Sequence, residues 1–167
     1  MNEIYRVPKR QFPAEVTLVG QSPMHLTLFL AGQAAHHAGY ERPSDLLAGV
    51  DAFLPAMNGD GHVLFLQRDA VMVLSVPATA EAEDEPTASG MAAADPGGAS
   101  ASPARRSTVR MTLENGRVLD GTVEYLMPEG HDRLQDFLNS TGRFLALHQG
   151  DTVHLINKLR IASIAAI

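Results

Sequence analysis

Residues 39–54 read GYERPSDLLAGVDAFL, and residues 130–145 read GHDRLQDFLNSTGRFL. Laid over each other without a gap, Gly39 meets Gly130, Arg42 meets Arg133, Asp45 meets Asp136, Leu47 meets Leu138, Phe53 meets Phe144 and Leu54 meets Leu145. In the same frame Gly59 and Asp60 meet Gly150 and Asp151. After a one-residue shift, VLFLQR at 63–68 falls on VHLINK at 153–158, and Val71 falls on Ile161. The matches keep their order and include glycine, arginine and aspartate, so they point to one unit copied within the chain. Upstream, the apolar stretches around Val16 and Val109 correspond only loosely.

Between the copies the composition changes. Residues 78–107 hold an acidic run (Glu81, Glu83, Asp84, Glu85), then proline, glycine, serine and alanine with almost no large apolar group. Such a stretch has little to offset the entropy of ordering and is expected to be a disordered linker. The expected organisation is a tail at 1–13, a first β domain at 14–77, the linker at 78–107 and a second β domain at 108–167.

The second copy carries the clearer local signals. Val109, Met111 and Leu113 alternate with polar residues, as a half-buried strand does. Asn115 and Gly116 follow, and Asn-Gly between alternating runs predicts a two-residue type I′ hairpin with positive φ at both positions. A partner strand is expected from Arg117 to about Leu126, a short helix at 132–139, strands at 144–147 and 153–157, and a last strand at 160–167. The first copy gives the same order, with weaker turn signals. The expected fold is mainly β: two tandem small β-barrel or rolled-sheet domains, each with one short helix.

Composition narrows the function. With 45% apolar residues the chain can build a core, and with 5% aromatic residues and no tryptophan that core must be aliphatic. The net charge of −6 is uneven: residues 1–13 are +2, while 14–77, 78–107 and 108–167 are −4, −3 and −1. Neither expected domain offers the basic field that phosphate neutralisation requires, so nucleic acid is disfavoured as a partner. The absence of cysteine removes disulfides and thiolate metal sites. With no apolar run near the roughly 20 residues of a membrane span, no membrane insertion and a cytoplasmic location are expected.

The stretch VRMTLENGRVLDGTV at 109–123 resembles the opening of Sm-like small barrels, in which a strand, an Asn/Asp-Gly turn and a glycine-bent second strand follow one another. The closing stretch INKLRIASI at 156–164 is similar to the last strand pair of that group, and SH3-like barrels share the hairpin. The resemblance implies a small barrel. The segment containing Arg133, Asp136 and Asn139 departs from the family's RNA-reading positions, so no functional residue is carried over. Arg105 and Arg106 ahead of Asn139, Ser140 and Gly142 resemble the PilZ second-messenger pattern, with the Ser-to-Gly spacing one residue short.

The candidate binding residues are Arg42, Asp45, Arg133, Asp136, Asn139, Asn157 and Lys158. The Arg/Asp pairs lie i, i+3 on a helix face, where they can pair or serve free backbone groups. Asn157 and Lys158 match Gln67 and Arg68 at a polar corner between strands. The seven histidines show no metal-ligand spacing and are expected on the surface or in loops. No catalytic set, metal or cofactor is expected. The expected function is a non-enzymatic protein-binding adaptor or scaffold that binds a protein partner or associates with itself as a homo-oligomer. The alternative is a nucleic-acid or nucleotide-binding regulator of Sm-like or PilZ-like type. Limited proteolysis should cut between about residues 78 and 106 and leave two resistant fragments, with protection of that stretch contradicting the linker.

Overall fold

The computed structural model describes residues 9–82, 104–127, 130, 133–140 and 142–167. The middle of the expected linker, 83–103, and residues 1–8 of the expected tail lie outside them. The first half contains β1 (Lys9–Leu18), β2 (Met24–Ala31), α1 (Pro43–Ala48), β3 (Phe53–Asn58), β4 (Val63–Gln67), a 3₁₀ turn at Arg68–Ala70 and β5 (Val71–Pro77). The helical turn α2 (Ala78–Glu81) follows. The second half contains β6 (Arg105–Leu113), β7 (Val118–Tyr125), α3 (Leu134–Leu138), β8 (Phe144–Gln149), β9 (Thr152–Asn157), a 3₁₀ turn at Lys158–Arg160 and β10 (Ile161–Ala166). Strand–strand–helix–strand–strand–3₁₀–strand is thus the order in both.

All ten strands form one antiparallel sheet in the order β10-β6-β7-β8-β9-β5-β1-β2-β3-β4. Each half places its fifth strand beside its first. The halves meet where β5 pairs β9, with Leu74 opposite Leu155, Ser75 opposite His154 and Val76 opposite Val153. The core is aliphatic, as the composition requires, and falls into two clusters. One gathers Val16, Leu28, Leu47, Leu66 and Leu74 of the first half with Val153 and Leu155 of β9. The other gathers Met111, Val123, Leu147 and Ile156 with Met72 and Val73 of β5. Each cluster therefore borrows side chains from the neighbouring half. Among the described residues no helix is long and apolar enough to cross a membrane.

β1 begins at Lys9, inside the stretch expected as a tail, because residues 9–16 zip onto β2. Its Pro13 lacks an N–H but lies where β1 has not yet met β5, whose pairing starts at Glu15. The β6–β7 turn differs from the sequence expectation. Within this turn Gly116 alone has positive φ, at 83°, and among the described residues no non-glycine residue does. The Gly116 N–H donates to the Leu113 carbonyl, and the Leu113 N–H donates to the Arg117 carbonyl. That is a three-residue loop, a turn capped by one left-handed glycine. Asn115 contributes through its side chain, whose Oδ1 accepts from the Arg117 N–H at 3.0 Å.

Gly121 in β7 is required for a different reason. A Cβ there would lie 2.6 Å from the His148 carbonyl oxygen and 2.8 Å from Leu147 Cγ on β8. Gly121→Ala must therefore push β7 from β8 and should destabilise the protein by about 1–3 kcal/mol, the usual cost of overpacking. Urea unfolding checks this, and an unchanged midpoint would contradict it.

Candidate functional site

The matched Arg/Asp pairs sit at the same structural point in the two halves. Asp45 is the third residue of α1, and its Oδ2 accepts the backbone N–H of Arg42 at 2.9 Å. Asp136 does the same in α3, accepting from Arg133 N–H at 3.4 Å. Each carboxylate satisfies a donor that the start of a helix leaves without an intrahelical partner. Asp45 also meets His37 Nε2 at 2.7 Å, and the Ala38 carbonyl meets the other ring nitrogen at 3.0 Å. The Ala38 carbonyl and the Asp45 carboxylate hold the His37 imidazolium and raise its pKa. Asn139 follows α3 and is exposed.

Asn157 is fully buried. Its Nδ2 donates to the Val71 carbonyl at 3.1 Å across the joint, and its Oδ1 accepts from the Leu159 N–H at 3.1 Å. It ties the end of β9 to the start of β5. Lys158 Nζ donates to the carbonyl and hydroxyl oxygens of Ser140 at 3.1 and 3.3 Å and lies over the Phe137 ring, with burial lowering its pKa. The seven candidates thus do not converge: four sit at two helix starts, Asn139 follows α3, and Asn157 and Lys158 lie at one corner of the joint. Of the PilZ-like arginines, Arg106 pairs with Glu124 at 2.7 Å on the neighbouring strand.

Two features escaped the sequence reading. The first is a polar chain within the joint. Gln149 Nε2 donates to the Asp120 carbonyl at 2.9 Å, so its Oε1 is the atom that faces His154 Nε2, at 3.1 Å. That ring nitrogen must carry the proton. Nδ1 is then bare and accepts the Ser75 hydroxyl at 2.7 Å. His154 is buried, not on the surface or in a loop as expected. Desolvation lowers its pKa, Arg117 lowers it further, and Glu15 opposes both. A serine hydroxyl donating to an imidazole is the pairing that activates nucleophiles. Here the two residues are direct partners in the β5–β9 ladder and the far nitrogen meets a neutral amide, so the chain closes the joint.

The second feature is an apolar strip on β3 and β4. Phe53, Val63 and Phe65 are 57%, 57% and 68% exposed. Val63 stands opposite Met57 and Phe65 opposite Pro55, both half-buried. The signal was present in VLFL, an uncharged run that reads as an interior strand yet forms the sheet's outer edge. Among the described residues no three His, Asp or Glu side chains are grouped as metal ligands.

The two histidines give stability terms of opposite sign. The folded pKa of His154 is depressed, so its contribution is full above the unfolded value near 6.5 and is lost as pH falls through the lower folded value. For His37 the folded pKa is raised, so its contribution is present below 6.5 and is lost as pH rises through the higher folded value. His154→Gln should flatten the decline in Tm as pH falls below 6.5, and His37→Gln should flatten the decline as pH rises above 6.5; slopes on both sides that match wild type in both variants would contradict the assignment. No family model, curated protein or solved structure matches this chain.

Proposed function

We propose that the chain is a non-enzymatic scaffold or adaptor, built from two copies of one small Sm-like or SH3-like β unit, that works through protein contacts at the β3–β4 edge. The shared element order and strand order of the two halves support the duplication. The hairpin at 105–125 and the close approach at Gly121 support the small-barrel likeness.

The observation that carries the function is the exposed strip of Phe53, Val63 and Phe65. Isolated exposed apolar residues are ordinary, but three on adjacent strands at a sheet edge that is unpaired among the described residues make a contiguous contact surface. Edge strands that must stay alone usually carry a lysine, a glutamate or a proline. β4 has none of these. An edge strand offers a partner backbone hydrogen bonds for affinity and alternate side chains for specificity.

A photo-crosslinking phenylalanine analogue placed at Phe65 in cells that produce the protein tests this reading. It should give discrete protein adducts that are absent when the analogue stands at Asp51, exposed but outside the edge strands. The same adduct pattern at both positions, or none at 65, would overturn the reading.

A further inference from the structure

We infer that the partner of the β3–β4 edge is a second copy of this chain, whose β10 pairs β4 head to tail in the register that β5 and β9 already use. This rests on the proposed duplicated scaffold and names its partner. Among the described residues the sheet has two open edges, β4 at one end and β10 at the other. By position in the copied unit, β4 is the counterpart of β9 and β10 is the counterpart of β5. The molecule therefore presents, unpaired and at opposite ends, the two sides of a joint it makes once internally.

Burial at equivalent positions supports the match. Val153 and Leu155 of β9 are each 1% exposed because they pack into the first half's core, whereas their counterparts Val63 and Phe65 are 57% and 68% exposed. On the receiving side Leu74 and Val76 are buried, whereas their counterparts Ile164 and Ala166 are half-buried and exposed. The helices follow suit, with Leu47 of α1 buried and its counterpart Leu138 of α3 half-buried. Each difference disappears when one chain's β4 side covers another chain's β10 side.

Neither edge is guarded, since VLFLQ and IASIAA hold no charge and no proline. The polar fastening of the internal joint is replaced by an apolar one. Arg143 pairs with Asp69 there, and the corresponding positions at the free ends are Ala52 and the exposed Leu159. In the internal register Val76 faces Val153 and Leu74 faces Leu155. Ala166 of one chain should then face Val63 of the next, and Ile164 should face Phe65. The two surfaces differ, so the contact is heterologous and propagates until a ring closes or a filament forms.

The natural chain has no cysteine, which makes the register directly readable. In the double variant Val63→Cys with Ala166→Cys, mild oxidation of the purified full chain should produce a disulfide-linked ladder on a non-reducing gel. The shifted control Val63→Cys with Ala162→Cys should give little, because four strand residues separate the thiols by about 13 Å. Sedimentation of the cysteine-free protein should show concentration-dependent association, and Phe65→Asp should weaken it at least about tenfold with the Tm unchanged. A monomer at all concentrations, or equal ladders from both cysteine pairs, overturns the inference. If that monomer still gives adducts to other proteins from position 65, the scaffold reading stands with a different partner. If position 65 gives no adducts at all, that reading falls as well.

Discussion

The pairing of β5 with β9 is the constraint from which the rest of the molecule follows. A strand is satisfied on both sides only when each of its backbone rows finds a partner, and five strands laid side by side always leave two rows unserved. Joining two such halves satisfies one row of each and gives the continuous sheet. It also makes the cores interdependent, because Val153 and Leu155 complete the first half's interior while Met72 and Val73 complete the second's. The ladder itself holds the halves together.

Magnitudes identify what holds that joint. Burying a leucine or valine side chain stabilises by about 1.5–3 kcal/mol, and β9 and β5 together bury Val153, Leu155, Leu74 and Val76 across one ladder. The Arg143–Asp69 pair at its margin is largely solvent-exposed. An exposed ion pair contributes about 0–1 kcal/mol. The apolar faces therefore dominate, and the polar groups fix register: Asn157 on the Val71 carbonyl at one end, Ser75 on His154 further along. Because register is what those groups supply, each must be fully partnered in the interior. The Ser75–His154–Gln149–Asp120 chain meets that requirement with a neutral imidazole.

Much of the strand order was readable because the signals were local. Alternation in 109–113, the glycine after Asn115 and the matched Gly59-Asp60 and Gly150-Asp151 pairs marked strands and turns, and the matched Arg/Asp pairs fell on the two short helices. The β6–β7 loop type was misjudged because Asn-Gly suits more than one hairpin geometry, and here the loop closes between Leu113 and Arg117, one residue longer than expected. The joint was not readable in the same way. It pairs residues about eighty positions apart, and no local rule says which edge meets which. A trace of it existed in VMVL and VHLI, near-continuous apolar runs of the kind that interior strands carry. The same trace in VLFL at 63–66 marks β4 as a strand with interior composition at an edge position. The polar candidates dispersed for a related reason. Residues kept in both copies are those that serve each copy's own fold, and Asp45 and Asp136 do so at the helix starts. His154 and Gln149, which matter only at the internal joint, have Leu64 and Asn58 in their places.

Amide hydrogen exchange of the intact protein, followed over a range of protein concentrations, addresses the two kinds of strand edge at once. Amides of residues 71–76 and of Thr152–Asn157 should exchange slowly at every concentration, while those of Val63–Gln67 and Ile161–Ala166 should become protected together as concentration rises. Rapid exchange along β5 and β9 would contradict the joint. Exchange in β4 and β10 that ignores concentration would contradict their role as its unpaired counterparts.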